Sequence, residues 1–242
     1  MKVIIISDIH ANLTAFNAVL DDVSNKYSPD AYISLGDLID YGMRSNEIIE
    51  RIQQIETPII ANLKGNHEKA IIDGNLQYFS SERGRIMSIY TKEHLSDKSF
   101  SYITNVMQDP HQEIEIDGYK ILLLHGNIED YYWGKLTPES INNEKYKKYD
   151  YVLSGHIHQS FKIDYYYKDD NPLMRNLKKT TFINPGSVGQ PRNHNPFAQY
   201  AYIDFLTSEV HFNSVSYDVE AEQVLFTEDI DRFYCERLKY GI

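Results

Sequence analysis

Cysteine is nearly absent. The single residue, Cys235, in 242 excludes an intrachain disulfide and a thiolate metal site, and leaves any metal to His, Asp and Asn. Long apolar runs are missing too. The N-terminal "MKVIIIS" holds only a short apolar stretch before Ser7 and Asp8, too short for a signal peptide or a bilayer span. It reads as a first strand, and the expected location is cytoplasmic, with no membrane partner. Positive charge is in deficit: 24 Lys and Arg stand against 35 Asp and Glu, a net charge of -11. That balance argues against long nucleic acid, whose affinity rests on many Lys and Arg contacts to phosphate. Small anionic substrates stay open, because a divalent cation reverses the field locally. No linker-like segment, internal repeat or low-complexity tract divides the chain, and 42% hydrophobic content is ordinary for a globular protein, so one domain over 1–242 is expected. Oligomeric state is left open.

The first third alternates "KVIII", an amphipathic run over Thr14 to Lys26, "AYISLGD", a helical run near Asn46 to Ile55, and "IIANLKGN". That order predicts parallel strands joined by crossover helices. Residues Glu82 to Met107 read as polar and mostly helical. In "EIEIDGYKILLLHG" the Asp117-Gly118 pair between two strand-like runs predicts a β-hairpin. "TTFINPGS", "AYIDFL" and "EVHFNSVSY" are rich in β-branched and aromatic residues and predict further strands. The tail from Asp218 to Tyr240 reads as helical, and "YYYKDDN" at Tyr165 to Asn171 as an exposed hairpin tip.

Apolar runs repeatedly end in residues able to bind a metal. "VIIISDIH" delivers Asp8 and His10; "AYISLGD" delivers Asp37; "IIANLKGNHE" delivers Asn66 and His67; "KILLLHG" delivers His125; "YVLSGHIH" delivers His156 and His158. Side chains two apart in an extended chain point the same way, so His156 and His158 are expected to face one point. Ligands gather at the carboxyl ends of strands in α/β sheets, which makes one crevice the expected meeting place. Singly, each residue has an ordinary alternative: Asp8 as a turn cap, Asp37 as a strand end, His125 as a bonded core histidine. Jointly, eight such residues would leave a dense set of unpaired polar groups without a cation. Carboxylate, carboxamide and imidazole suit two divalent ions, Mn or Fe first, with Zn, Ni, Co and Mg compatible. Asp37 is the expected bridge between them, and a water shared by both ions the expected nucleophile. Asp40 and Glu68 are expected either to orient the ligating imidazoles or to stand as solvated loop acids.

The ordered motifs "SDIHAN", "LGDLIDYG", "GNHE", "LLLHGN" and "SGHIHQ" resemble those of the calcineurin-like metallophosphoesterases. "INPGSVGQPR" is similar to the closing motif of their compact bacterial phosphodiesterase branch, so the resemblance runs from Ser7 to Arg192. It implies an α/β (α+β) fold: a four-layer α/β/β/α sandwich of two mixed sheets packed face to face with helices outside. Position by position it implies Asp8, His10, Asp37 and His158 on one metal, and Asp37, Asn66, His125 and His156 on the other. His67 matches the family's catalytic histidine, which contacts the phosphoryl group or protonates the leaving oxygen. The Asn127 of "HGN" departs from many relatives and bears on the substrate pocket.

Substrate-binding candidates are Tyr131 and Trp133, in the aromatic stretch after His125 that also holds Tyr132, and Arg192 and Arg44 as phosphate contacts; Arg83 and Arg85 are further arginines. The expected substrate is a small phosphate ester or nucleotide, and within the resembled branch diadenosine tetraphosphate cut asymmetrically to ATP and AMP. The alternatives are a general phosphodiesterase or phosphatase, a nuclease on short oligonucleotides, and a non-catalytic interaction scaffold.

Overall fold

The computed structural model describes residues 1–168, 170–171 and 173–242. The chain runs β1 (Lys2–Ile6), α1 (Leu13–Lys26), β2 (Ala31–Ser34), α2 (Ser45–Ile52), β3 (Ile59–Asn62), α3 (Asn66–Asp73), α4 (Glu82–His94) and α5 (Asp97–Asn105). It continues with β4 (His111–Ile116), β5 (Tyr119–Leu124), β6 (Tyr151–Ser154), β7 (Phe161–Tyr166), β8 (Lys179–Asn184), β9 (Ala198–Asp204), β10 (Glu209–Val215), α6 (Val219–Gln223) and α7 (Arg232–Glu236). Two mixed sheets result, in the orders β10-β9-β1-β2-β3 and β4-β5-β6-β8-β7. In the first, β1, β2 and β3 are parallel and β9 runs against β1.

The alternation of side chains along each strand explains the layers. Val3 and Ile5 of β1 join Ile33, Leu123, Leu153 and Ile183 in the core between the sheets, whereas Ile4 and Ile6 face α1 and its neighbours. On the second sheet Leu122, Leu124, Val152 and Phe182 point outward beneath Leu136, Ile141, Tyr146 and Tyr149. Both faces of the central strands are therefore apolar, the usual reading of a continuous run such as "VIII".

Helix α1 is stopped at its start by Asn12, whose side-chain oxygen accepts from Ala15 N at 3.0 Å. Its buried stripe of Ala15, Phe16, Val19, Leu20 and Val23 follows the helical period. The β4–β5 hairpin turns on Asp117 and Gly118, at φ 51° and 83°, the two left-handed positions a tight primed turn requires. Part of the expected tip over Tyr165–Asn171 lies outside the described residues, at Asp169; Tyr166 ends β7, and Tyr167 is buried. The expected helical tail is broken. Asp218 caps α6 through Ala221 N at 2.9 Å, and Asp231 restarts the helix through Phe233 N at 2.9 Å.

Candidate metal centre

Every motif that ended an apolar run sits at the carboxyl end of a strand: Asp8 and His10 after β1, Asp37 after β2, Asn66 and His67 at the start of α3 after β3, His125 after β5, His156 and His158 after β6. The loops are stitched to one another by backbone. Asp8 N donates to Gly36 O at 2.9 Å, His10 N to Asp37 O at 3.0 Å, and Gly189 N to Asp8 O at 3.0 Å. Asp8, His10, Asp37, His156 and His158 all have φ between 47° and 66°, a left-handed conformation that costs a non-glycine residue about 1 kcal/mol or more. His156 and His158 are thus not extended, and their rings do not face one point.

They join two groups instead. Ligand atoms of Asp8, His10, Asp37 and His158 lie within 4.8 Å of one another, as do those of Asp37, His125 and His156. Asp37 belongs to both. Its Oδ2 is 3.7 Å from His10 Nε2, 3.3 Å from His125 Nε2 and 4.0 Å from His67 Nε2. Asn66 Oδ1 lies 2.9 Å from both His125 Nε2 and His156 Nδ1.

The protonation of this cluster tests whether a cation fits. His10 Nδ1 lies 3.2 Å from Ile39 O and His158 Nδ1 lies 2.6 Å from Gln190 O. A carbonyl only accepts, so both Nδ1 atoms carry the proton and both Nε2 atoms present lone pairs. Those Nε2 atoms face each other at 3.1 Å. Burial first, then the proximity of the second imidazole, His158, holds His10 well below its usual range; burial and the Arg192 guanidinium lower His158. Two neutral rings aiming lone pairs at one point, beside an Asp8 Oδ1 that is buried without a hydrogen-bond partner, form a site that a cation completes. Burial, then the charge of His125, also pushes His156 down to about 3, leaving it neutral. His125 differs. Burial opposes its charge, but the Asp37 carboxylate outweighs it and raises the group to about 9, so a proton on Nε2 takes the position a cation would.

His67 is buried and held by Asp40: Nδ1 donates to Asp40 Oδ2 at 2.7 Å, which turns Nε2 toward Asp37. Burial works against its charge, yet the Asp37 carboxylate and the Asp40 hydrogen bond raise its pKa above the ordinary value. Asp40 therefore orients the candidate catalytic histidine and not a candidate ligand, and Glu68 orients no imidazole. The Glu68 carboxylate accepts backbone N–H groups from Asp37, Leu38 and Gly65 at 3.0, 2.8 and 2.7 Å, so it shapes the loop that carries Asp37. The close approach of Asp37 to Gly65 is why a side chain is excluded there: a Cβ would overlap Asp37 Oδ1.

Several contributors escaped the sequence reading. Tyr41 packs its ring 4.7 Å from that of His10 and 4.3 Å from that of His67, and Phe79 lies 5.1 Å from His67. Ser187 Oγ donates to Asp8 O at 2.7 Å, and Asn184 Nδ2 to Gly155 O at 2.7 Å; both belong to the quoted "INPGSVGQPR", but their partners are distant in sequence.

The substrate candidates divide. Trp133 stands at the rim, its ring 6.4 Å from His156 and edge-on to Phe79 at 5.9 Å. Arg192 is anchored by its backbone N, which donates to His158 O at 3.1 Å. Two others are engaged elsewhere. Arg44 is tied to Thr14 Oγ1 at 2.6 Å and to the buried Glu222, and Tyr131 stacks on His111 with ring centroids 4.0 Å apart. Asn127 turns inward on its own loop, accepting from Glu129 N and Asp130 N at 2.9 and 2.8 Å.

Residues 1–208 match the family model of the calcineurin-like phosphoesterase superfamily domain. An uncharacterized protein of Methanocaldococcus jannaschii is 29% identical over 246 residues, covering 98% of this chain and 97% of that one. The crystal structure of a metallophosphoesterase from Sphaerobacter thermophilus superposes with a TM-score of 0.77 at 28% identity, covering 100% of both chains. A hypothetical protein from Pyrococcus horikoshii OT3 shares the fold, with a TM-score of 0.79 at 18% identity over 100% of this chain and 98% of that one.

Proposed function

The chain belongs to the calcineurin-like phosphoesterase superfamily, and from that premise we propose that it hydrolyses phosphate esters around a pair of divalent ions. Asp8, His10, Asp37 and His158 would hold one ion and Asp37, Asn66, His125 and His156 the other. The observation that carries this reading is the pair of lone-pair-bearing nitrogens of His10 and His158, 3.1 Å apart. Bound ions supply Lewis-acid polarisation of the phosphoryl oxygens and acidify a water to the nucleophile. The chain's own residues do the rest. Asp37 reaches both groups and fixes their spacing. His67, held by Asp40 with Nε2 facing inward, donates a proton to a phosphoryl oxygen or to the leaving oxygen. Arg192 supplies a fixed positive charge beside His158.

The substrate we propose is a nucleotide, diadenosine tetraphosphate cleaved asymmetrically to ATP and AMP. Trp133 at the rim supports a base-bearing substrate, since an indole face stacks any nucleobase. The test is product analysis: protein reconstituted with Mn is incubated with diadenosine tetraphosphate, and the nucleotides are separated. ATP plus AMP is expected. Two ADP would refute the asymmetric cut, and cleavage only of base-free model esters would refute the nucleotide in favour of a general phosphodiesterase or phosphatase.

A further inference from the structure

Beyond residue 208, where the family match ends, the chain returns to the metal end of the fold. The Tyr234 ring of α7 stacks on Tyr41 with centroids 4.9 Å apart, and Tyr41 is the ring that covers His10 and His67. The turn that follows α7 carries Arg237, only 7% exposed. Its Nε donates to a main-chain oxygen of Ile242 at 2.5 Å. Its two terminal nitrogens make no hydrogen bond to any described residue, and no ion pair among the described residues includes it.

Arg192 is only partly buried, but it is unpartnered in a similar way. Its Nε is buried without a hydrogen-bond partner, and it too is missing from the ion pairs among the described residues. The segments that carry them are joined, His194 N donating to Gly241 O at 2.8 Å, and burial followed by the charge of Arg192 pushes Arg237 down to about 10. Arg83 extends the patch outward: its guanidinium lies 3.9 Å from the centre of the Phe233 ring, whose neighbourhood Arg237 shares at 4.8 Å. In a chain of net charge -11, arginines this closely grouped would ordinarily each find a carboxylate. Bringing two like charges together costs stability unless an anion is shared between them, and the terminal nitrogens of an arginine fork left free match a phosphate.

We propose that Arg192 and Arg237 form an anion subsite beside the metal pair that takes a second phosphoryl group of the substrate. It selects compounds carrying two or more linked phosphates over isolated monoesters. This rests on the phosphoesterase reading and adds to it a substrate class, delivered by the C-terminal segment.

Calorimetric titration of AMP and of its non-hydrolysable α,β-methylene diphosphate homologue into Mn-loaded protein isolates the second phosphate, since both ligands share the base and sugar. The parent should bind the diphosphate at least tenfold more tightly. Arg237→Gln should reduce that preference at least tenfold, Arg237→Lys should restore part of it, and Arg232→Gln, at the exposed start of α7, should leave it intact. Should Arg237→Gln fail to fold by circular dichroism, Arg192→Gln replaces it with the same expected loss. A parent without the preference, or a folded Arg237→Gln that keeps it, overturns the subsite. Metal-dependent hydrolysis of bis(p-nitrophenyl) phosphate, which has one phosphate, is read separately: its presence without the diphosphate preference removes the subsite alone, and its absence with the preference intact removes the phosphoesterase reading alone.

Discussion

Replacing Asp40 by Asn separates proton donation from metal binding. Asp40 Oδ1 accepts from Tyr41 N and Thr91 Oγ1, both at 2.8 Å, and Oδ2 accepts from His67 Nδ1 at 2.7 Å. In the variant those two donors retain the carbonyl oxygen on their side, so the new amide NH2 faces His67 Nδ1. That nitrogen must then offer its lone pair, Nε2 carries the only proton, and the imidazolium loses the carboxylate that stabilised it. A hydrogen bond to a charged group contributes about 1.5–3 kcal/mol, which at about 1.4 kcal/mol per factor of ten predicts a fall in kcat of roughly 10- to 150-fold. Asp40 hydrogen-bonds none of the candidate ligands, so metal content should stay at the parental level. The assay is kcat on a model diester, with metal counted by mass spectrometry in the same sample. Parental kcat, or activity that falls only in step with lost metal, would refute the reasoning.

Asp37→Asn should remove both ions, because Asp37 belongs to both groups, whereas Asp8→Asn should weaken one; metal analysis after dialysis distinguishes them. Metal uptake at pH 7 should release a proton from His125, whose pKa in the metal-free fold is about 9, and calorimetry in buffers of differing ionisation enthalpy reads it. The same group sets a stability trend. Its folded pKa lies above the ordinary 6.5, so its contribution to the metal-free protein is complete below pH 6.5 and lost as pH rises through about 9; the melting temperature of chelator-treated protein should fall from pH 7 to 9.5. Gly36, at φ +102°, would place a Cβ 2.7 Å from Gly65 N, so Gly36→Ala should cost about 1–3 kcal/mol, or a few degrees in Tm. Trp133→Ala should raise KM for a nucleotide relative to p-nitrophenyl phosphate by roughly 5-fold or more if an indole–base stack of about 1–3 kcal/mol is lost.

Much of the fold was legible because local rules and burial agreed. The helical stripe of α1, the Asp117-Gly118 turn and the apolar runs of β1 and β5 are each read from periods of 3.6 or 2 that the packing then uses. The site residues were legible for another reason: strands end where a buried polar group appears, and five such endings needed a common partner. The conformation between them was not legible. Left-handed φ at His156 and His158 depends on hydrogen bonds to loops more than a hundred residues away, such as His156 N to Asp8 Oδ2 at 3.0 Å. For the same reason Asp40 and Glu68 could be recognised as supporting acids but not assigned partners. Arg44 looked free in sequence and is not, since its carboxylate, Glu222, comes 178 positions later. Arg237 had no motif to announce it.

The most direct measurement is hydrolysis of a model phosphodiester by one preparation in three states: exhaustively demetallated, reloaded with Mn, and reloaded in the Asp37→Asn variant. Turnover that is absent, restored and again absent, with two ions per chain only in the second state, is the predicted result. Undiminished turnover by the demetallated protein would contradict the account.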